Sequence, residues 1–212
     1  MNNTNPSAPY FDKVATDWDV MRTGYFTEAV REAAIQKANL KTDSVAADVG
    51  AGTGFIAKGL APLVKKVHVI DGSPEMIEVA KKNLSGFENI EFHVADGLQL
   101  PVQDGTVDAA LANMYLHHCP DPLGAIQAMV KMLKPGGRLV ITDMDTHTHE
   151  WLKTEMSDVW LGFERSKIKQ WFEETGLKNV DVDCTGQSCQ SDCASGVGDH
   201  ADISIFVASG TR

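Results

Sequence analysis

A glycine-rich segment in the first quarter of the chain has the residue types of a ligand-binding loop. Residues 48–54 read Asp-Val-Gly-Ala-Gly-Thr-Gly and continue an apolar run that predicts a strand. Glycines at every second position let the backbone approach a ligand, and the next helix aims its free N–H groups at it. A dinucleotide-binding loop would place a glycine at position 55, where this chain has Phe55. The carboxylate of Asp48 favours a cationic ligand over a pyrophosphate.

Acidic residues also follow the next two predicted strands. Asp71 comes directly after the second strand, and Asp96 follows the third. An acidic side chain about 20 residues after a glycine-rich turn can bind the ribose hydroxyls of a nucleoside ligand, and Asp71 has this separation from Gly50. Taken alone, Asp71-Gly72 and Asp96-Gly97 would predict only turns. Their position after consecutive strands favours one shared nucleoside site.

Two later loops combine imidazoles with carboxylates. The loop after the fourth predicted strand contains His117 and His118, and the loop after the fifth contains Asp143 and His147. Imidazole is a frequent general base near neutral pH and a common metal ligand. We therefore predict that His117, His118 and His147 act as bases or position a substrate. The alternative is that the His-His pair is structural.

Three of the four cysteines lie within ten residues, at Cys184, Cys189 and Cys193. The stretch 185–200 is rich in Ser, Gly and Asp and predicts a long loop, and such loops are often functional. The paired spacing of zinc-binding cysteines is absent. Trivalent arsenic prefers three soft thiolates, so metalloid binding is one hypothesis, and Cys119 joins the set if the loop folds over it. Incidental surface cysteines are the alternative.

The composition restricts the class of protein. The chain has 212 residues, 43% apolar and 23% charged, which is enough to bury one core and argues against disorder. Its net charge of −10 disfavours nucleic acids and anionic membranes as partners. No apolar run approaches the roughly 20 residues of a membrane span, and the polar N-terminus does not resemble a signal peptide. We therefore expect a cytoplasmic protein with reduced cysteines.

The predicted elements that position these loops alternate between strand and helix. Short apolar runs end at positions 49, 70, 94, 112 and 142, with helical stretches between them. Repeated strand–helix units predict an α/β, doubly wound, mostly parallel sheet covered by helices on both faces. Ligands of such sheets bind at the carboxyl ends of the strands, so the loops above belong to one site. Residues 1–9 predict a flexible tail, and 10–212 predict a single domain with helices over 10–40.

The order and spacing of these motifs resemble the class I S-adenosylmethionine-dependent methyltransferases over residues 10–145. The matching features are the acidic glycine-rich loop, Asp71, Asp96, Asn113 and the Lys134-Pro-Gly-Gly turn before the fifth strand. The resemblance implies S-adenosylmethionine as cofactor and a three-layer, seven-stranded sheet whose last strand is antiparallel. It also implies that the helices over 10–40 cover the cofactor. The cofactor-binding residues it implies are Asp48, Gly50, Gly52, Gly54, Asp71, Gly72, Met76, Ala95, Asp96, Gly97 and Asn113.

A second resemblance concerns the methyl acceptor. The segments that begin at Asp143 and at Asp158 resemble the methyltransferase part of bacterial proteins fused to an arsenic-repressor-type regulator. Small arsenite methyltransferases also use a few cysteines. Our main hypothesis is therefore a small-molecule or metalloid acceptor, arsenite in particular, with a thiol reductant as a further reactant. The thiolates that would hold it are those of Cys119, Cys184, Cys189 and Cys193.

Other functions stay open as alternatives. A carbon or oxygen methyltransferase of the quinone-biosynthesis type would use His118 or His147 as base and would not need the thiols. A non-catalytic metal or redox sensor would bind metal at the cysteines without turnover. The segment that starts at Asn113 lacks the prolines of methyltransferases that act on nucleic-acid bases. Phe55 and Asp48 argue against a nicotinamide-dependent oxidoreductase.

Overall fold

The structure, a computed structural model, describes residues 6–95, 97–194 and 200–212. Its strands are β1 (Val45–Val49), β2 (Lys66–Asp71), β3 (Ile90–Val94), β4 (Val107–Asn113), β5 (Leu133–Met144), β6 (Lys178–Asp192) and β7 (His200–Thr211). They form one seven-stranded sheet in the order β3-β2-β1-β4-β5-β7-β6. Six strands are parallel and β7 is antiparallel to both of its neighbours, β5 and β6. This confirms the predicted fold class.

Helices cover both faces of the sheet. In the described ranges the α-helices are α1 (Ala8–Val14), α2 (Trp18–Thr23), α3 (Glu28–Lys37), α4 (Phe55–Leu60), α5 (Pro74–Asn83), α6 (Pro122–Met132), α7 (Trp151–Glu155) and α8 (Arg165–Glu174). Side chains of β1 alternate between the two faces, so Ala46 joins the core under α3, α4 and α5, while Ala47 joins the core under α6 and α8. None of these helices combines the length and apolarity of a membrane span.

The N-terminal helices begin earlier than predicted. Helix α1 starts at Ala8, inside the segment 1–9 that was predicted to be a tail, because Pro9 is well suited to the first turn of a helix. Residues 1–5 of that predicted tail lie outside the described residues. Helices α1, α2 and α3 occupy most of the remaining predicted helical segment 10–40.

The predicted loop 185–200 is wrong over its first half. Strand β6 continues through Asp192 and pairs antiparallel with β7, so that Cys189 lies opposite Ile203. The pairing shifts register between Cys184 and Ser188, and Gly186 has a φ of +73° there, as a β-bulge allows. The pairing with β7 overrides the polar, turn-like composition of this stretch. Residues 195–199 of the predicted loop lie outside the described ranges.

Candidate active site

The glycine-rich loop follows β1 and is held by the end of β2. Gly50, Gly52 and Gly54 have φ angles of +67°, +54° and +91°, a backbone region that residues with a Cβ rarely adopt. The carboxylate of Asp71 accepts hydrogen bonds from the backbone N–H of Gly52 at 2.7 Å and of Ser73 at 2.9 Å. One acidic side chain therefore fixes two loops against each other.

Two of the predicted cofactor ligands lie behind this loop. Asp48 is 1% exposed, and its Oδ2 accepts a hydrogen bond from the N–H of Ala57, 2.8 Å away in α4. Burial raises the pKa of Asp48 to about 7. A Cβ on Gly54 would approach Leu84 to 2.7 Å. Both residues therefore help to fix the loop at the start of α4, and their predicted contact with a cofactor stays a prediction.

A first cavity lies between this loop and the N-terminal helices, and we call it the glycine-loop cavity. It encloses about 760 Å³, including its opening to solvent. Its lining includes the predicted residues Gly50, Gly52, Asp71, Gly72, Met76, Gly97 and Asn113. Helices α1 and α2 contribute Phe11, Trp18 and Arg22. Ala95 is not part of this lining, and Asp96 lies outside the described residues.

Tyr115 explains why two of these positions are glycine. A Cβ on Gly50 would overlap the Tyr115 ring, and a Cβ on Gly97 would overlap its hydroxyl end. The aromatic ring therefore packs across both loops at the base of the glycine-loop cavity. The sequence motifs pointed to a ligand as the reason for these glycines, whereas Tyr115 is a second reason that only the tertiary structure reveals.

Arg22 is the cationic side chain of the glycine-loop cavity. It is buried, and its guanidinium lies 4.1 Å from the centre of the Phe55 ring, a cation–π arrangement. One of its terminal nitrogens lies 3.7 Å from Glu28, but its Nε is buried and has no hydrogen-bond partner in the described ranges. A buried donor without a partner is costly, so this position is suited to a ligand with an anionic group.

A second cavity, which we call the His117 cavity, lies next to the first. The two share Trp18, Phe26, Met114 and His118, and the second encloses about 470 Å³ including its mouth. Most of its lining is apolar or aromatic, with few polar groups. The apolar and aromatic lining residues are Trp18, Tyr25, Phe26, Met114, Met144, Leu152, Met156, Ala201 and Ile203.

His117 pairs with a buried carboxylate at the edge of this cavity. Its Nδ1 lies 2.7 Å from Oδ1 of Asp143, a fully buried residue at the end of β5. Asp143 also accepts backbone N–H groups from Leu116 and Met144, which fixes its orientation. Burial alone would lower the pKa of His117, but the charge and hydrogen bond of Asp143, with the charge of Asp158, raise it to about 8. The other ring nitrogen, Nε2, lies beyond hydrogen-bond distance of Asp158, at 3.8 Å, and could exchange a proton with a ligand.

Asp158 supplies a second carboxylate. Its Oδ1 lies 3.8 Å from both His117 Nε2 and His118 Nδ1, and its Oδ2 is buried without a hydrogen-bond partner in the part of the chain that the structure describes. Burial raises the pKa of Asp158 to about 6. One ligand atom from each of His117, His118 and Asp158 lies within 4.8 Å of the others, so this group has the side chains to hold a metal ion. Nothing in its sequence spacing pointed to Asp158.

The other predicted histidines differ in environment. His118 Nδ1 faces the backbone oxygen of Ser157 at 3.3 Å, and burial lowers its pKa well below the usual value. His147 lines neither of the two cavities, and its Nδ1 accepts a hydrogen bond from the His149 N–H at 3.3 Å. Burial lowers the pKa of His147 to about 4. Of the three predicted bases, His117 alone has a carboxylate partner at hydrogen-bond distance among the described residues.

The four cysteines do not form a common thiolate site. Cys119 is in the core below α6, Cys184 is exposed, Cys189 lines the His117 cavity, and Cys193 contacts Glu155 at 3.3 Å. No group of three candidate metal ligands in the described ranges includes a cysteine. Burial raises the pKa of Cys189 to about 12, so this group is a neutral thiol at neutral pH. The described residues thus do not bring three thiols together, because the extended β6 separates residues that a loop would have gathered, and a three-thiolate site stays a prediction.

Residues 47–141 match a family model described as "Methyltransferase domain". The 2-methyl-6-phytyl-1,4-hydroquinone methyltransferase of Arabidopsis thaliana is 30% identical over 167 residues, covering 77% of this chain and 49% of the relative. A demethylmenaquinone methyltransferase of Tropheryma whipplei is 33% identical and covers 63% of this chain and 56% of the relative. The chain thus spans about half the length of the curated relatives it matches.

A solved structure shares the whole fold. Phosphoethanolamine N-methyltransferase 2 of Haemonchus contortus, in complex with phosphomonomethylethanolamine and S-adenosylhomocysteine, has a TM-score of 0.79 at 16% identity, with 100% of this chain and 60% of that chain covered. The sheet order and the loops thus define a class I methyltransferase fold. Residues 47–141 carry the match to the methyltransferase-domain model, and the cofactor that this match supports is S-adenosylmethionine.

The glycine-loop cavity fits this cofactor. The unpaired Nε of buried Arg22 suits the carboxylate of its amino-acid part, and Asp71 has oxygen lone pairs for ribose hydroxyls. A Cβ added to Gly52 would lie 3.6 Å from Trp18, which lines the cavity, so a side chain at this position would take up space that the glycine leaves open. Met76 offers an apolar contact for a flat ring. When bound, the cofactor supplies a methyl group activated by its sulfonium.

Two glycine substitutions can distinguish the effect of backbone strain from an effect on the glycine-loop cavity. Gly52 (φ +54°) and Gly105 (φ +69°) are both left-handed, but a Cβ on Gly105 meets nothing within 4 Å and lies outside the glycine-loop cavity. We expect Gly52→Ala and Gly105→Ala each to destabilise the fold by about 1–2 kcal/mol. Only Gly52→Ala should lower the affinity for S-adenosylhomocysteine, by about tenfold or more, in calorimetry. Equal affinities in the two variants would contradict this placement of the cofactor.

Proposed function

We propose that this protein is an S-adenosylmethionine-dependent methyltransferase that methylates carbon or oxygen of a small organic acceptor of the quinol type. The observation that carries the proposal is the mostly apolar His117 cavity. It is lined by His117, which pairs with Asp143 behind it, and by Asp158, whose buried Oδ2 has no hydrogen-bond partner among the described residues. A mostly apolar molecule with a hydroxyl group would fill such a cavity and satisfy that oxygen. The names of the phytylhydroquinone and demethylmenaquinone relatives support an acceptor of this class.

The residues of the His117 cavity would activate the acceptor by removing a proton. Phenolic hydroxyls are protonated at neutral pH, so methyl transfer to oxygen, or to the ring carbon of a quinol, benefits from a base. His117 Nε2 would accept the hydroxyl proton, while Asp143 fixes the ring through Nδ1 and stabilises the resulting imidazolium. A second hydroxyl group of the molecule to be methylated would donate a hydrogen bond to Asp158 Oδ2. Trp18 and Phe26 line both cavities and would exclude water from the place where the cofactor's methyl group meets the methyl acceptor.

The acceptor class is tested by direct turnover. The purified chain would be given S-adenosylmethionine labelled in its methyl group and a panel of hydroquinones that differ in the length of the apolar tail. We expect labelled product with hydroquinones, and a KM that falls as the tail fills the His117 cavity. Labelled product from arsenite with a thiol reductant, together with none from any hydroquinone, would contradict the proposal.

The thiols outside the His117 cavity are expected to be dispensable. Cys184 is exposed, and Cys193, which directly follows β6, is partly exposed and contacts Glu155. We expect the double substitution Cys184→Ser/Cys193→Ser to leave kcat and KM for the hydroquinone acceptor within about twofold of wild type, because surface changes of this kind rarely disturb a fold. The same result is expected with and without a thiol reductant. A loss of tenfold or more would restore a role for these thiols.

A further inference from the structure

Two histidines and a glutamate form a cluster on the edge of the sheet, outside both cavities. His68 lies on β2, and Glu91 and His93 lie on β3. The two strands pair in parallel with His68 opposite Glu91 and Ile70 opposite His93, so all three cluster residues project from one face of the sheet. One ligand atom from each lies within 4.8 Å of the other two.

The distances in the cluster are close to those of a metal site. Nδ1 of His68 lies 3.0 Å from Nε2 of His93. Oε2 of Glu91 lies 3.7 Å from the His68 nitrogen, and Oε1 of Glu91 lies 3.7 Å from the His93 nitrogen. Ligand atoms about 2.0–2.2 Å from a tetrahedral Zn²⁺ are separated by roughly 3.3–3.6 Å, so a small rotation of the Glu91 carboxylate and of the rings would complete the arrangement. Two imidazoles and one carboxylate are also a common donor set for such ions, with the remaining position open to water.

The two imidazoles can bind a cation near neutral pH. An unperturbed histidine has a pKa of about 6.5, so most imidazoles are neutral at about pH 7.5, as metal ligation requires. The two ring nitrogens share one hydrogen bond, so the ring that donates must carry its proton on its other nitrogen before both lone pairs can face an ion. Glu91 is about half exposed, which gives an ion access from solvent.

We propose that His68, Glu91 and His93 form a binding site for a divalent transition-metal ion of the zinc type, which ties β3, the edge strand, to β2. The two strands lead directly to Asp71 and to the loop that contains Gly97, so the ion would hold together the two strands beneath the nucleoside end of the glycine-loop cavity. The proposal concerns residues that the methyl-transfer proposal does not use.

Lys66 gives the proposal a distinguishing prediction. Its Nζ lies 2.5 Å from a Glu91 oxygen and so competes with a cation for that carboxylate. If the cluster were only a structural hydrogen-bond network, loss of Lys66 would simply remove an ion pair. If the cluster binds metal, Lys66→Gln removes both a competitor and a repelling charge, and affinity for the metal must increase.

The test is a titration of the full chain, freed of metal by a chelator, with Zn²⁺ at pH 7.5. We expect His93→Gln and His68→Gln each to bind one ion fewer than wild type in calorimetry, while Lys66→Gln binds that ion several-fold more tightly. At a Zn²⁺ concentration 100-fold above Kd, the wild-type Tm should rise by roughly 5–10 °C, and this rise should shrink in both histidine variants. His200→Gln, which changes an exposed histidine paired with Asp192, is the matched control and should behave as wild type.

The counting of ions separates this site from the group around His117. Any ion bound by His117, His118 and Asp158 would persist in His93→Gln, so only the difference between the variants reports on the sheet edge. His93→Gln and His68→Gln variants that keep the wild-type stoichiometry and the wild-type rise in Tm would overturn the proposal. Since the readouts are metal binding and stability, the outcome is independent of whether hydroquinones are methylated.

Discussion

Replacing His117 with asparagine is expected to lower kcat for the hydroquinone acceptor by about 10²–10⁴-fold, the usual contribution of a positioned general base. Asparagine can keep an N–H donor close to Nδ1, which lies 2.7 Å from Asp143, and it removes Nε2, which faces the His117 cavity. The buried Asp143 therefore keeps a partner while the base is lost. Steady-state kinetics with labelled S-adenosylmethionine would measure the change.

Binding of the cofactor product is the control for this variant. His117 does not line the glycine-loop cavity, so the affinity for S-adenosylhomocysteine should stay within about twofold of wild type in His117→Asn. A kcat close to wild type would contradict the assignment of the base. A comparable loss in His147→Gln with little change in His117→Asn would move the base to His147.

The pH dependence of the reaction gives a further readout of the same group. Asp143 and Asp158 raise the pKa of His117 to about 8 despite its burial. The base must be unprotonated to accept a proton, so kcat should increase as pH rises through about 8 and level off above it. The His117→Asn variant should lose this step in the pH profile. A wild-type profile that is flat between pH 6 and 9 would contradict a role for this imidazole.

Replacing Asp71 with alanine is expected to weaken cofactor binding by about 10²–10³-fold. The carboxylate holds the N–H groups of Gly52 and Ser73 and lies on the glycine-loop cavity, where it would accept the ribose hydroxyls. Hydrogen bonds to a charged group contribute about 1.5–3 kcal/mol each, and 1.4 kcal/mol is a factor of ten in affinity. Calorimetry with S-adenosylhomocysteine would measure the loss, and Asp71→Asn should lie between wild type and Asp71→Ala.

A remote aspartate with similar bonds is the matched control. Asp108 accepts the N–H of Val45 at 2.8 Å and pairs with Lys134, away from both cavities. We expect Asp108→Ala to destabilise the fold without changing the affinity for S-adenosylhomocysteine. If Asp71→Ala binds as tightly as Asp108→Ala, then Asp71 organises the loops and is not a cofactor ligand.

Local sequence patterns determined the architecture and the glycine-loop cavity. Apolar runs of strand length, alternating with amphipathic helices, led to a mostly parallel sheet, and such a sheet brings the loops after its strands to one edge. Gly50, Gly52 and Asp71 lie next to such strand ends, so their approximate place followed from chain order alone. Chain order could not predict the role of Asp48, since a side chain just before the loop can point into the cavity or behind it.

Chain order predicted that the loops of His117 and Asp143 share one edge of the sheet, but only the tertiary structure decided the contacts in the His117 cavity. His117, Asp143 and Asp158 come from three separate segments and meet because β4 and β5 are neighbours and the segment between α7 and α8 folds back beside them. The cysteines show the reverse case, since proximity in sequence suggested a common site and the pairing of β6 with β7 separates them. The physical reason is the same in both cases. Local periodicity reports which face of an element is buried, whereas contacts between distant segments depend on packing energies that no single segment contains.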